Sequence, residues 1–327
     1  MASLNIAVIG AGRIGQIHAR NVATHPNATL VGIADPDRGA AERLAQATGA
    51  TVIRLDDAFS ADAVMICSPT STHADYIEHA ATAGKPTFCE KPIDLSAERV
   101  RACLEAVRRA GIPLMIGFNR RFDTHFGALK RRLDQGEIGA LELLTIISRD
   151  PAPPPLGYIG NSGGLFRDMM IHDLDLARHF LGEEPVEVFA AASSLVDPAI
   201  GQAGDVDTAA AVLKTAGGKL CQISNSRRAT YGYDQRIELH GSQGMLRAGN
   251  VAATTVELAD AGGFRGDPAL PFFLERYAAA YRAELDAFIT AVQGGGGPKP
   301  DGEDGLRALI LADAATRSAQ TGQAVRL

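Results

Sequence analysis

The chain has 327 residues, few of them cysteine, and it contains neither a long apolar run nor an extended block of one charge. Its four cysteines, Cys67, Cys89, Cys103 and Cys221, show no Cys-x-x-Cys spacing and lie mostly within apolar segments, as free core thiols do. We therefore expect a reducing, cytoplasmic environment. No apolar run approaches the ~18 residues of a membrane span, and no basic segment precedes the apolar start of the chain, so neither membrane insertion nor export is predicted.

The charge distribution gives no reason to expect a nucleic-acid partner. The 32 basic and 38 acidic residues give a net charge of −6. The densest basic run, residues 130–132, lies in a helical pattern that predicts a solvated helix face. Hydrophobic residues make up 46% of the chain and charged residues 21%, values typical of a globular protein, and the length predicts about two domains.

The order of hydrophobic patterns divides the chain into two parts. Short apolar runs alternate with helical patterns through residues 1–120, which predicts βαβ units and a doubly wound parallel sheet. Residues 121–327 predict a second α/β domain with a large, open and mainly antiparallel sheet. Its predicted strands are 141–148, 186–192, 208–214, 219–225, 235–240 and 254–258, and its predicted helices are 124–133, 168–180, 273–292 and 304–320. The prolines and glycines of residues 151–164 predict an irregular loop that could lie over a site.

A glycine-rich turn follows the first predicted strand. In the spacing Gly-x-Gly-x-x-Gly, Gly10 makes the tight turn, Gly12 lets the backbone approach a pyrophosphate, and Gly15 lets helix and strand pack closely. Asp35 follows the second strand, 20 residues after Gly15, where a carboxylate accepts hydrogen bonds from ribose and favours NAD over NADP. Arg38 acts against this preference if its guanidinium pairs with a 2′-phosphate instead of stacking on adenine. The predicted cofactor-binding residues of this region are Gly10, Gly12, Arg13, Ile14, Gly15, Asp35 and Arg38.

Polar residues follow two further strands at the same carboxyl edge, where open α/β sheets bind ligands. Ser68, Thr70, His73 and Glu90 are predicted to line the cofactor, although a structural role at a helix N-terminus fits His73 equally well. The corner Glu90-Lys91-Pro92 sets a cation where it can act on a substrate oxygen, and the proline permits a cis peptide. Taken alone, Lys91 is also compatible with a solvated turn.

Asp168 and His172 lie four residues apart in a helical pattern and so share one helix face. An imidazole can accept the proton that a hydroxyl loses when its carbon gives up hydride, and a carboxylate can orient the ring. The alternative is an exposed helical ion pair. No metal site is predicted, because the set Asp168, His172, Asp173, Asp175 and His179 fits no compact ligand spacing.

Together these motifs resemble the glucose–fructose oxidoreductase and inositol dehydrogenase superfamily, and the inositol 2-dehydrogenases within it most closely. The resemblance spans nearly the whole chain and rests on residues 10–15, 68–73, Glu90-Lys91-Pro92, 117–123, 168–173 and 231–236. It implies a Rossmann domain at 1–120, an α/β domain at 121–327 for substrate binding and oligomerisation, a homotetramer formed through the sheets, and a cis Lys91–Pro92 bond.

The resemblance also implies the chemistry and its residues. Lys91, Asp168 and His172 correspond to the catalytic trio, and the polyol contacts are expected from Lys91, Arg121, Asn161, His172, Tyr231 and Tyr233. The expected reaction is the NAD-dependent oxidation of a ring hydroxyl of a cyclic polyol, most closely myo-inositol to its 2-keto product. Two alternatives remain: a dehydrogenase for a sugar pyranose, another inositol isomer or an anhydrosugar, and a nucleotide-sensing regulator that performs no chemistry.

Overall fold

A computed structural model of the protein describes residues 3–327, apart from the side chain of Asn161. The described strands are β1 (Leu4–Ile9), β2 (Ala28–Ala34), β3 (Thr51–Val52), β4 (Ala63–Ile66), β5 (Thr87–Cys89), β6 (Leu114–Ile116), β7 (Leu141–Arg149), β8 (Pro185–Ser193), β9 (Thr208–Thr215), β10 (Leu220–Ser226), β11 (Asp234–Gly241), β12 (Gly244–Ala248), β13 (Glu257–Asp260), β14 (Gly263–Gly266) and β15 (Val325–Arg326). The described α-helices are α1 (Arg13–Thr24), α2 (Arg38–Thr48), α3 (Leu55–Ala58), α4 (His73–Thr82), α5 (Ala97–Ala110), α6 (Thr124–Asp134), α7 (Leu156–Ser162), α8 (Ile171–Leu181), α9 (Pro198–Gln202), α10 (Phe273–Arg276), α11 (Ala278–Gly294) and α12 (Gly302–Thr321).

The chain forms two compact units. The first contains residues up to 119 together with 280–309, and the second contains residues 120–279 and 310–327. Most of α11 and the beginning of α12 therefore belong to the first unit, although they follow all but the last strand of the second sheet in the sequence. Among residues 3–327, no helix is long and apolar enough to cross a membrane.

The first unit contains a six-stranded parallel sheet in the order β3-β2-β1-β4-β5-β6. Its central strands are apolar along most of their length and buried, as expected for strands covered by helices on both faces. The strand order reverses between β1 and β4, and ligands of such sheets bind in the crevice at the carboxyl ends of the strands at this point. The predicted doubly wound parallel sheet is confirmed.

The second unit contains a seven-stranded sheet in the order β12-β11-β7-β10-β9-β8-β15. All neighbouring pairs are antiparallel except β7 and β10, so the predicted mainly antiparallel sheet is confirmed. Side chains alternate along the strands: in β9, Ala211 and Leu213 are buried, whereas Val212 between them is exposed. One face of the sheet therefore carries the core, and the other leaves apolar side chains such as Phe189 and Leu220 exposed.

Three local predictions are wrong. The strand predicted at 254–258 is not part of the large sheet, because β13 covers Glu257–Asp260 and pairs only with β14 in a separate two-stranded sheet. Residues 151–164 are not irregular throughout, because α7 begins directly after Pro155 and the prolines end where the helix starts. The helix predicted at 168–180 begins as a π-helix over Phe166–Met170, and α-helical geometry starts only at Ile171. Asp168 and His172 therefore stand on either side of a π-to-α junction, a feature that is frequent at functional sites.

Candidate active site

The glycine loop of the first unit has the geometry that its spacing predicts. Gly10 has φ +106°, and a Cβ there would lie 2.5 Å from the carbonyl oxygen of Cys67. A Cβ on Gly15 would lie 1.9 Å from the carbonyl oxygen of Gly10. By contrast, a Cβ on Gly12 would meet no atom within 4 Å. Gly10 and Gly15 are required by the packing of the loop, and Gly12 keeps one side of the backbone open.

These residues fit a dinucleotide. Gly12 is the N-cap of α1 and provides no capping side chain, so the first-turn N–H groups, which include those of Arg13, Ile14 and Gly15, are available to a pyrophosphate beside the open Gly12. Asp35 is half-buried and fixed against the loop, because Oδ2 accepts from the Ala11 N–H at 2.6 Å and Oδ1 from the Asp37 N–H at 2.7 Å. Arg38 is exposed and donates to Glu42 at 2.8 Å. Among the described residues no group of three or more His, Cys, Asp or Glu could hold a metal.

The corner after β5 contains Lys91, which is half-buried, and its peptide bond to Pro92 is cis, as predicted. Glu90 is predicted to contact the cofactor, but its Oε1 lies 2.8 Å from Nε2 of the buried His18 in α1. A Cβ on Gly117 would lie only 3.0 Å from the Glu90 carboxyl group, and this close contact explains the glycine at that position. The corner is therefore connected to the helix that begins at the glycine loop.

Glu284 of α11 is a fully buried acid of the first unit that the hydrophobic pattern does not predict. The residue is fully buried, and neither carboxyl oxygen has a hydrogen-bond partner among the described residues. Burial raises the pKa of Glu284 well above its usual value, and the negative charge of Glu90 raises it further. A fully buried carboxyl group without a hydrogen-bond partner is disfavoured as an anion.

Ser68, Thr70 and His73 lie after β4, as predicted. Ser68 Oγ is 2.7 Å from Thr72 Oγ1, and Thr70 begins a 3₁₀ turn that leads into α4. The His73 ring is only 1% exposed, and both of its nitrogens lie 2.7 Å from main-chain carbonyl oxygens. Of the two predicted roles of His73, these contacts support the structural one.

In the second unit, Asp168 is held by two side chains that the sequence analysis did not identify. Its Oδ1 accepts from Tyr158 Oη of α7 at 3.0 Å, and its Oδ2 lies 3.5 Å from Nη2 of Arg227. Arg227 is 1% exposed and also lies 3.8 Å from Asp205. A signal for Arg227 existed: Cys221, Ile223 and Asn225 are the buried positions of β10, and residue 227 continues that alternation.

His172 lies in the first turn of α8, and the next residue anchors that turn to the sheet. Asp173 is buried and accepts from Arg120 Nη1 at 2.6 Å and from Asn225 Nδ2 at 2.8 Å. Arg120 Nη1 also donates to Ser148 Oγ of β7 at 2.7 Å. This fully buried network fixes the position of the helix end that carries His172.

Asp150, just after β7, is a further residue that the sequence analysis missed. Burial raises its pKa to about 6, although the cations of Arg227 and Arg120 act in the opposite direction. The negative charge of Asp168 raises the pKa of Asp150 further, and shifted carboxyl pKa values of this kind cluster at functional sites.

The predicted polyol contacts have different environments. Arg121 forms a two-point ion pair with buried Asp175, with N–O distances of 2.6 and 2.8 Å. Tyr231 is 48% exposed and donates to Asp234 at 2.7 Å, whereas Tyr233 is 4% exposed and packs against other aromatic rings. The side chain of Asn161 lies outside the described part of the structure. The roles of these four residues stay predictions.

Family models match two parts of the chain, and known proteins match nearly its full length. Residues 4–118 match an oxidoreductase family with an NAD-binding Rossmann fold, and residues 126–247 match the GFO/IDH/MocA C-terminal domain. An inositol 2-dehydrogenase of Rhizobium meliloti is 53% identical, over 97% of each chain. The structure of a myo-inositol dehydrogenase from Corynebacterium glutamicum is 49% identical, with a TM-score of 0.96 over 99% of each chain.

A more distant structure contains both ligands of such an enzyme. The scyllo-inositol dehydrogenase from Lactobacillus casei, with bound NAD(H) and scyllo-inositol, is 31% identical, with a TM-score of 0.92 over 99% of each chain. The agreement in fold, glycine loop and full-length sequence has one consequence: this chain belongs to the GFO/IDH/MocA family of NAD-binding oxidoreductases.

Proposed function

We propose that the protein oxidises myo-inositol at carbon 2 to the 2-keto product, with NAD as the hydride acceptor. The observation that carries this proposal is the 53% identity to an inositol 2-dehydrogenase over almost the full length of both chains. The intact Lys91, Asp168 and His172 support catalysis over nucleotide sensing, because a sensor has no need of these three groups.

Cofactor binding is assigned to the glycine loop and to Asp35. NAD, when bound, accepts the hydride that leaves the substrate carbon. The first-turn N–H groups of α1 hold its pyrophosphate, and Asp35, already fixed by two backbone N–H groups, accepts from the ribose hydroxyls.

Proton transfer and charge stabilisation are assigned to three side chains. His172 accepts the proton of the reacting hydroxyl as general base. Lys91 stabilises the negative charge that develops on the same oxygen. Asp168 holds the His172 ring in its working orientation, and Tyr158 and Arg227 keep Asp168 in place. Arg121, Asn161, Tyr231 and Tyr233 are proposed to contact the remaining hydroxyls together with Lys91 and His172.

The protein is further proposed to work in the cytoplasm as a homotetramer. The four cysteines are buried free thiols, as a reducing compartment permits. The open face of the second sheet exposes Phe189, Val212 and Leu220, and Phe189 lies opposite Val212 in the pairing of β8 and β9. Exposed apolar surface on a sheet face is typical of an assembly interface.

A second candidate substrate is another inositol isomer, favoured by the similarity to a scyllo-inositol dehydrogenase. Initial rates of NAD reduction, measured over inositol isomers, pyranoses and linear polyols, test both candidates. We expect myo-inositol to have one of the highest kcat/KM values. Efficient oxidation of an aldose without any inositol activity would assign the enzyme to sugars, and no reduction with any substrate would favour the sensor.

A further inference from the structure

The His73 side chain lies between the main-chain segments that follow two adjacent strands of the first sheet. Its Nδ1 is 2.7 Å from the carbonyl oxygen of Pro92, just after β5, and its Nε2 is 2.7 Å from the carbonyl oxygen of Ser68, just after β4. The ring is 1% exposed. His73 therefore connects the end of β4 to the corner that carries Lys91.

Both contacts require a proton on the ring, because a carbonyl oxygen accepts hydrogen bonds and does not donate them. Burial lowers the pKa of His73, as does the charge of Lys91, whereas the two carbonyl groups and Glu90 raise it. The neutral ring that burial favours has a single N–H. Pro92 is buried and Ser68 is half-buried, and a carbonyl shielded from water loses more free energy when it lacks a donor. The N–H is therefore better placed on Nδ1, facing Pro92.

We propose that His73 is a positioning residue for Lys91. The Nδ1–H of His73 donates to the Pro92 carbonyl and so fixes the corner from which the lysine extends. The role differs from the cofactor contact expected from the sequence, because neither ring nitrogen faces away from the main chain. The inference rests on the proposed function, in which Lys91 stabilises the developing alkoxide. A lysine displaced by about 1 Å would lose on the order of 10²-fold in rate.

Two variants of similar size separate the two hydrogen bonds. The amide nitrogen of asparagine lies near the position of Nδ1, so His73→Asn retains a donor to Pro92, whereas His73→Gln retains a donor to Ser68. We expect kcat to fall about tenfold further in His73→Gln than in His73→Asn, with the Kd of NAD changed less than about threefold in both. His79→Gln, an exposed position of the same helix, is the control and should leave kcat unchanged. Equal losses of kcat in the two His73 variants would overturn the proposal.

Nitrogen-15 NMR of histidine-labelled protein tests the same contact without any substrate. The His73 signals are those absent from the spectrum of His73→Gln, and near neutral pH we expect the proton on Nδ1, protected from exchange with water. A proton on Nε2 alone would overturn the inference whatever the enzyme oxidises. Conversely, an unmodified protein that oxidises no inositol but shows the Nδ1 proton would refute the proposed function and leave the His73–Pro92 bond established.

Discussion

Replacing Arg227 with methionine tests the ion pairs around Asp168. The guanidinium is 1% exposed and lies 3.5 Å from Asp168 and 3.8 Å from Asp205, so methionine leaves two carboxylates without this cation. Breaking a buried ion pair costs about 3–5 kcal/mol. Because both distances exceed those of short charge-assisted hydrogen bonds, we expect the free energy of unfolding to fall by the lower amount, about 3 kcal/mol.

Activity should fall as well, because Arg227 helps to keep Asp168 in place and Asp168 is proposed to orient the His172 ring. We expect kcat to fall about 10²-fold in Arg227→Met and the KM for myo-inositol to change much less, since Tyr158 still donates to Asp168. Arg227→Lys retains a cation and should recover part of kcat. Urea unfolding and initial rates of NAD reduction measure both effects.

The neighbouring Arg228 provides a matched control. It is exposed, so Arg228→Met should change the free energy of unfolding by less than about 0.5 kcal/mol and leave kcat unchanged. Equal effects of the two substitutions, or a kcat of Arg227→Met within about twofold of the unmodified enzyme, would refute the reasoning.

Three further substitutions test other parts of the site. The pKa of Glu284 is raised in the folded protein, so above the ordinary glutamate pKa of about 4.5 its carboxyl group releases a proton on unfolding. The free energy of unfolding therefore falls as pH rises above about 4.5, by at most ~1.4 kcal/mol per pH unit. Glu284→Gln should remove this dependence and be more stable than the unmodified protein at pH ~8, as measured by urea unfolding at several pH values. Asp35→Ala should narrow the preference for NAD over NADP in calorimetric titrations, because a carboxylate repels a 2′-phosphate. Lys91→Ala should lower kcat by ~10²-fold or more while NAD binding changes little.

Each of these expectations has a result that would contradict it. An unfolding free energy of Glu284→Gln that varies with pH as in the unmodified protein would mean that Glu284 is ionised. Tighter binding of NADP than of NAD to the unmodified protein would remove the proposed role of Asp35. An unchanged kcat in Lys91→Ala would make Lys91 an ordinary surface lysine.

The first sheet and its ligand edge were predictable, because parallel strands covered on both faces are continuous apolar runs and the glycine spacing has a steric cause at Gly10 and Gly15. The π-helix over Phe166–Met170 was not predictable, since π and α segments have similar local patterns and the difference arises from packing. The prolines of residues 151–155 stop a helix only where they occur, so they do not prevent α7 from beginning directly after Pro155.

Partners that are distant in the sequence account for the other omissions. The hydrophobic pattern of residues 278–294 predicts a helix but not the sheet against which it packs, so Glu284 could not be placed near Glu90. Arg227 was predictable in principle, because it continues the inward alternation of β10. A charged residue at an inward position is a sign of a functional or structural ion pair.

Transfer of deuterium from carbon 2 of myo-inositol to the nicotinamide ring is the most direct measurement of the central claim. The enzyme is supplied with NAD and myo-inositol labelled with deuterium at carbon 2, and the reduced cofactor is analysed by mass spectrometry. The proposed hydride transfer predicts reduced NAD that carries the label, together with the 2-keto product. Reduced NAD without deuterium, formed at an undiminished rate, would show that the hydride comes from another carbon and would contradict the assignment.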